Sequence, residues 1–298
     1  MNSHKKIVIT GASGFLGSHL VERLKEDPQY EVYALSSKPD ELENYLGGEN
    51  VVYVYKNDLR AEMLKDSIVI NCAYPRNSTG TVVADGLRYI QKVFESAVES
   101  ETKAIINISS QSVYSQQRTE AATEETPACL ESPYAVGKYA VELMLESICK
   151  GSKISYTSLR MASLIGPGFD QRIVNRFVKQ ALETGKLTVK KNQQRFGFFD
   201  VEDAVSGILA MLGTVEKDWK PVYNLGRNES YTLLEIAETV KVVVARYKTG
   251  NLVDVIVNDG DETSNTALFC SRFSKDFNYE AMCSLEDSIH SIVKHALE

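Results

Sequence analysis

From Lys5 to about Arg160, short apolar runs rich in β-branched residues alternate with longer stretches of helical periodicity. Ile7-Val8-Ile9, Val32-Tyr33-Ala34-Leu35, Val51-Val52-Tyr53-Val54, Ile68-Val69-Ile70, Ala104-Ile105-Ile106 and Ser155-Tyr156-Thr157-Ser158-Leu159 read as strands. Helical patterns at Leu16 to Glu26, Val82 to Ser100 and Tyr134 to Cys149 lie between them. The alternation predicts an α/β fold: a doubly wound parallel sheet with helices on both faces. After Gly166-Pro167-Gly168 the rhythm changes, with fewer strand signals and helices predicted over Ile173 to Thr184, Val201 to Leu212, Leu233 to Tyr247 and Leu285 to Ala296. The expected organisation is a sheet domain over 1–165, receiving further segments near 196–226. A smaller, mostly C-terminal α/β lobe for substrate is expected from 166–195 and 227–298. No internal repeat or low-complexity linker divides the two.

A chain of 298 residues can bury one large core or two modest ones. Its 43% apolar and 24% charged residues are those of an ordinary soluble globular protein. The net charge of -7 leaves no basic surplus to neutralise phosphates, so neither a nucleic acid nor an anionic membrane is an expected partner. A small-molecule ligand is. Cys72, Cys129, Cys149, Cys270 and Cys283 are odd in number and scattered without a Cys-x-x-Cys, which indicates neither a zinc site nor a disulfide framework. The polar start, Met1 to Lys6, runs straight into a strand, and no apolar run approaches the ~20 residues of a membrane span. A cytoplasmic location is therefore expected.

Candidate chemistry begins at the first strand-to-helix turn. The run Thr10-Gly11-Ala12-Ser13-Gly14-Phe15-Leu16-Gly17 places three glycines where a pyrophosphate meets a helix N-terminus. Gly11 permits the tight turn, Gly14 lets backbone N–H groups approach the phosphates, and Gly17 lets the helix pack closely on the sheet. Ser13, Phe15 and Leu16 are the accompanying candidates for cofactor binding. At the end of the second strand, where an acid normally binds the adenosine ribose of NAD, the chain reads Ser36-Ser37-Lys38. Two hydroxyls and an ammonium suit a 2′-phosphate, so NADP is expected ahead of NAD. The plainer alternative is that Lys38 is a solvated loop residue and the site takes either cofactor.

Tyr134 and Lys138 stand four residues apart, on one helix face. A fixed positive charge about 5 Å from a phenol at an effective dielectric near 20 stabilises its anion by ~3 kcal/mol. Such a pair can exchange a proton with an alcohol or ketone.

Taken in order, these motifs resemble the extended short-chain dehydrogenase/reductase family of nucleotide-sugar epimerases, dehydratases and reductases. Asp58-Leu59 resembles the family's pair that receives the adenine amino group, and Asn71-Cys72-Ala73-Tyr74 the segment beside the cofactor ribose and pyrophosphate. Ser109-Ser110-Gln111-Ser112-Val113-Tyr114 is similar to the Ser-Ser-x-x-Val-Tyr-Gly segment and places the catalytic hydroxyl at Ser110, with Ser109 and Ser112 as near rivals. Pro133-Tyr134 to Lys138 follows, then Leu159-Arg160 through Gly166-Pro167, where Met161 and Ala162 would pass the nicotinamide. Phe198 to Asp203 and Val222 to Gly226 resemble two further landmarks, so the match covers roughly residues 5–250. The resemblance implies a Rossmann sheet and hydride transfer at a sugar carbon. Tyr134 would be the general acid or base, Lys138 its electrostatic partner and a ribose ligand, and Ser110 a hydrogen-bond donor to the same substrate oxygen.

Departures narrow the chemistry. The Asp-Glu pair of the family's 4,6-dehydratases is replaced by Gln111 and Ser112, neither of which cycles a proton at neutral pH. Dehydration is not expected. On the substrate side Ser112, Ser163 and Arg195 are candidates, although Ser163 stands where many epimerases place Asn and Arg195 is offset by one residue from the family's Arg. The expected reaction is a nucleotide-sugar 4-ketoreduction or 4-epimerisation, with reduction ahead because the ribose-binding carboxylate is missing. Reduction of a non-sugar carbonyl is one alternative, since Phe196, Phe198 and Phe199 could line an apolar pocket or fill the core. A non-catalytic NAD(P)-sensing regulator is another. The resemblance also implies a homodimer through helices 82–100 and 134–149, the latter with Val141, Leu145 and Ile148 inward and Ala140, Met144 and Ser147 toward a partner.

Overall fold

The computed structural model describes residues 4–75, 80–247 and 253–298. All six expected strands of the first half form: β1 (Lys5–Thr10), β2 (Tyr30–Ser36), β3 (Val51–Tyr55), β4 (Ile68–Asn71), β5 (Ala104–Ser110) and β6 (Ser155–Met161). Between them run α1 (Phe15–Leu24), α2 (Pro39–Leu46), α3 (Ala61–Leu64), α4 (Thr81–Glu99) and α5 (Pro133–Cys149). There follow β7 (Ser163–Ile165), α6 (Ile173–Thr184), β8 (Lys186–Arg195), β9 (Phe198–Asp200), α7 (Val201–Leu212) and β10 (Val222–Leu225). The chain ends with α8 (Leu233–Ala245), β11 (Asp254–Asn265), α9 (Ser271–Phe277) and α10 (Leu285–Leu297). No helix among the described residues is long and apolar enough to cross a membrane.

Seven strands make one parallel sheet in the order β10-β6-β5-β4-β1-β2-β3, the doubly wound Rossmann arrangement. The winding reverses between β1 and β4, which pair in parallel from Ile7↔Ile68 to Thr10↔Asn71. A sheet that reverses there leaves a crevice outside the C-terminal ends of those two strands, and ligands bind in it. Ile7, Val8, Ile9, Val69 and Ile70 are fully buried, as strands covered on both faces must be.

The chain divides into two compact units. One comprises 1–113, 129–160 and 208–223; the other comprises 114–128, 161–207 and 224–298. Within the first, Val8, Leu35, Val69, Phe94, Ile105, Val141 and Leu145 share a core. Within the second, Val174, Phe177, Val178, Ile236, Val240, Ile289 and Val293 do so.

The second half holds more strand than its sequence signals. β8 and β11 pair in parallel from Asp254↔Lys186 to Asn265↔Arg195, with an irregularity between Asp259 and Thr263. Leu187 and Val189 point inward from β8 while Lys186, Thr188 and Lys190 face out, so only two apolar positions mark a ten-residue strand. β11 carries one apolar run, Val255-Ile256-Val257, of which Val255 packs on the core while Ile256 and Val257 are exposed; the rest of the strand is polar and pairs with β8.

Candidate active site

The β1–α1 turn needs its glycines. Gly11 has φ +65°, and a Cβ there would lie 2.7 Å from the backbone nitrogen of Ala73; a Cβ on Gly17 would lie 2.3 Å from the Gly11 carbonyl oxygen. The turn is thus pressed between the end of β4 and the first turn of α1. The N-cap of that helix is Gly14, without a side-chain cap, and its first turn carries no acid. Uncapped N–H groups at a helix start attract an anion.

A cleft of about 580 Å³ opens here, lined by Gly11, Ser13, Gly14, Ser36, Ser37, Cys72, Ala73 and Tyr74 from the sequence-derived set, together with Lys56, Asp85 and Tyr89. The Tyr89 hydroxyl is buried without a hydrogen-bond partner, and burial pushes its phenol up to about 12. An orphaned hydroxyl and a side-chain-free glycine cradle fit an elongated ligand with polar groups and a diphosphate, such as a nicotinamide dinucleotide. Burial likewise holds the Cys72 thiol near 12, against a smaller opposing effect of Lys138, so this sulfur stays protonated. Leu16 and Gly17 are buried in α1, and Phe15 packs edge-on against His19 at 4.9 Å. Lys38 turns to α2, where its Nζ donates to both Glu41 oxygens at 2.9 and 3.0 Å. Asp58 is exposed and Leu59 half-buried in the segment after β3. No group of His, Cys, Asp or Glu able to hold a metal occurs among the described residues.

A buried polar ladder aligns the strand ends beneath the cleft. Thr10 Oγ1 donates to Asn71 Oδ1 at 2.7 Å, Asn71 Nδ2 to Asn107 Oδ1 at 2.9 Å, and Asn107 Nδ2 to Ser158 Oγ at 3.0 Å. The links tie β1, β4, β5 and β6 in turn, and a connected network of this kind fixes register while pairing polar groups that burial would otherwise leave costly.

Helix α5 brings Tyr134 and Lys138 to β5. Ser132 caps it by accepting from Ala135 N, with Pro133 at the first helical position, so the helix starts one residue before Tyr134. Lys138 is 5% exposed, and its Nζ donates to the Ile108 carbonyl at 2.7 Å, two residues before Ser110. Nζ lies 4.6 Å from the Tyr74 ring centroid and 6.0 Å from that of Tyr134. The rings of Tyr74 and Tyr134 meet edge to face at 5.2 Å. The Tyr74 phenol occupies a notch left by Gly137, where a Cβ would come within 2.0 Å of its oxygen. Burial first, then the nearby Tyr134, raises the Tyr74 phenol above its ordinary value. Ser110 Oγ accepts from Ser112 N and donates to Ser112 Oγ, each at 3.1 Å.

One turn beyond Lys138, Glu142 is buried and forms an ion pair with Arg160 of β6, whose Nη2 lies 2.7 Å from Oε2. Ser109 donates to the other carboxylate oxygen. Sequence reading missed this pair, and it missed Lys56 and Tyr89 at the cleft. The signal for Glu142 was present: it falls four residues after Lys138, beside the inward Val141 and Leu145.

In the second unit, Met161 and Ala162 are buried where β6 ends, and Ser163 opens β7 opposite Phe198 of β9. Arg195 donates through Nε to Ser230 Oγ at 2.9 Å and through Nη2 to the Ser230 carbonyl at 2.6 Å. Phe198 and Phe199 are buried in the interior, with Phe196 stacked on Phe198 at 6.2 Å. Of the two roles weighed for these rings, Phe198 and Phe199 take the core one.

A glycine-cradled cleft at the sheet's switch point, with a Tyr-x-x-x-Lys helix beside it whose lysine is buried, defines a dinucleotide-dependent enzyme of the short-chain dehydrogenase/reductase type. The profile of the NAD dependent epimerase/dehydratase family matches residues 7–226, and the chain belongs to that family. It is 28% identical over 306 residues to the uncharacterized UDP-glucose epimerase YtcB of Bacillus subtilis, covering 95% of each. It is 24% identical to UDP-glucuronic acid decarboxylase 6 of Arabidopsis thaliana, over 96% of this chain and 87% of that one. Among solved structures, UDP-glucuronic acid 4-epimerase from Bacillus cereus, in complex with NAD, superposes with a TM-score of 0.81 at 22% identity, covering 97% of both chains. UDP-N-acetylglucosamine 4-epimerase from Methanobrevibacter ruminantium gives 0.80 at 24% identity over 99% of both.

Proposed function

We propose that this enzyme transfers hydride at one carbinol or carbonyl carbon of a nucleotide sugar, as a 4-ketoreductase ahead of a 4-epimerase. The observation that carries it is the buried Lys138, fixed to Ile108 and capped by the Tyr74 ring, one helical turn from Tyr134 beside the cleft. Bound nicotinamide supplies or accepts the hydride. Tyr134 exchanges one proton with the substrate oxygen, and the Lys138 ammonium stabilises negative charge on the phenol oxygen. Ser110 turns its hydroxyl from Ser112 to that same oxygen and stabilises charge developing there. Gln111 and Ser112 offer no second acid and base, so the chemistry stops at one carbon without eliminating water.

The substrate class is supported by the relatives, whose names specify UDP-sugars. Reduction is favoured by Ser36 and Ser37, hydroxyls at the place of a ribose-binding acid; epimerisation is favoured by the relatives named as epimerases. A tightly retained dinucleotide in the purified protein supports the epimerase, and exchangeable NADPH the reductase. The decisive experiment assays UDP-glucose and UDP-glucuronate with NAD+ and NADP+, and their 4-keto forms with NADH and NADPH. Tyr134→Phe is expected to lose ~10²–10⁴-fold in turnover, the usual worth of acid–base catalysis, while keeping its cofactor dissociation constant. Turnover near that of the unaltered enzyme refutes the assignment.

The outward stripe of α5 supports a homodimer. Val136 and Leu143 are 49% and 50% exposed and flank Ala140 at helical spacing, a face suited to a second copy of this chain. A single-chain mass by light scattering would remove this reading.

A further inference from the structure

We propose that Lys56 reads the adenosine 2′ position of the cofactor and selects a 2′-phosphate, with Ser36 and Ser37 as its hydroxyl partners. The proposal rests on the reading of the glycine-lined cleft as the dinucleotide site. The ends of β2 and β3 lie side by side, with Ser36 opposite Tyr55. Lys56 N donates to the Ser36 carbonyl at 2.8 Å, so Lys56 stands directly beside the β2 terminus. In a doubly wound sheet that terminus meets the adenosine ribose. Ser36, Ser37 and Lys56 all line the cleft; Lys38, the cation nearest in sequence, does not.

The charges around the cleft point the same way. Lys38 is neutralised by Glu41 on α2. Asp85, the acid among the described lining residues, accepts from Arg88 Nη1 at 2.8 Å on its own helix. Asp58 is exposed two residues beyond Lys56 and lies outside the described lining. Lys56 is half-buried and has no carboxylate partner among the described residues; its Nζ faces the Tyr89 ring, 5.8 Å from the centroid. A half-buried ammonium in a phosphate-binding cleft, beside two hydroxyls and with no carboxylate partner, is complementary to a phosphate monoester. A bare 2′-hydroxyl would normally meet an acid acceptor there.

The test titrates the full-length protein with 5′-AMP and with adenosine 2′,5′-bisphosphate by calorimetry, and with NADH and NADPH by fluorescence. The unaltered protein is expected to bind the 2′-phosphorylated member of each pair at least ~10-fold more tightly, the worth of one charge-assisted hydrogen bond. In Lys56→Gln that margin collapses while 5′-AMP and NADH binding stay within about twofold, which also reports an intact fold. Lys56→Arg keeps the margin, and Lys38→Gln leaves it unchanged. Equal affinities in the unaltered protein overturn the proposal, as does a margin that survives Lys56→Gln or disappears in Lys38→Gln. Absence of binding by all four ligands overturns instead the reading of the cleft as a dinucleotide site.

Discussion

Removing either member of the Glu142–Arg160 pair should unfold much of what stabilises the sheet unit, and removing both should not. The two side chains are 5% and 7% exposed. Nη2 lies 2.7 Å from Oε2, and Nε donates to Oε1 and Oε2 at 3.1 and 3.2 Å. Ser109 adds a hydrogen bond to the carboxylate, and the guanidinium lies 6.0 Å over the Tyr139 ring. Two charges ~4 Å apart at an effective dielectric near 20 attract by ~4 kcal/mol, and this together with the hydrogen bonds to the carboxylate offsets the several kcal/mol that each ion loses on desolvation. Deleting one partner leaves the other's desolvation unopposed, at ~3–5 kcal/mol.

Glu142→Leu and Arg160→Met should therefore each lose ~3–5 kcal/mol in urea unfolding, against a domain stability of roughly 5–15 kcal/mol. In a thermal melt the loss corresponds to a fall of about 6–20 °C at ~2–4 °C per kcal/mol. The double variant should return to within ~2 kcal/mol of the unaltered protein, because apolar side chains of similar volume fill the site without charge. Losses below ~1 kcal/mol in both single variants, or losses that add in the double, refute this reasoning. Activity gives a separate readout. Glu142 holds Ser109, the neighbour of Ser110, so the restored double variant should still turn over more slowly than the unaltered enzyme.

Gly137→Ala pushes a methyl group to within 2.0 Å of the Tyr74 hydroxyl. It should cost ~1–3 kcal/mol in thermal unfolding, as overpacking does, and the added Tyr74→Phe change should recover a large part by removing that oxygen. The C-terminal helix gives a pH prediction. Ser284 hydrogen bonds hold the Asp287 carboxyl below its ordinary value, so the folded chain binds that proton less readily than the unfolded chain. The resulting stability is present above about pH 4 and lost as pH falls through the lowered value. Because the site is exposed and screened, the contribution is at most that of a helix cap, about 1 kcal/mol. Asp287→Asn should flatten the acid limb of a stability–pH curve for this protein; an unchanged limb counts against it.

What the sequence shows of this enzyme depends on whether neighbours in space are neighbours in the chain. β1, β4 and β5 are legible because burial on both faces demands continuous apolar runs. The glycine turn and the Tyr134–Lys138 helix are legible because each acts through contiguous residues. β8 is not, since a mainly polar strand on a two-stranded sheet is specified by its partner more than by its own composition; β11 shows only the run Val255-Ile256-Val257 before eight polar or glycine residues, too short a signal for a twelve-residue strand. Lys38 and Lys56, near the end of β2, show the same rule at a single site. Counting forward from β2 reaches Lys38, but the chain turns there into α2, and Glu41 in its first turn captures that ammonium. Lys56 lies 20 residues away from Ser36 in sequence and one strand away in space, because the right-handed β2-α2-β3 crossover lays the end of β3 beside the end of β2. Charge at the cleft is therefore set by strand order, and a cation that lines it is found at the end of the adjacent strand as well as in the loop that follows β2.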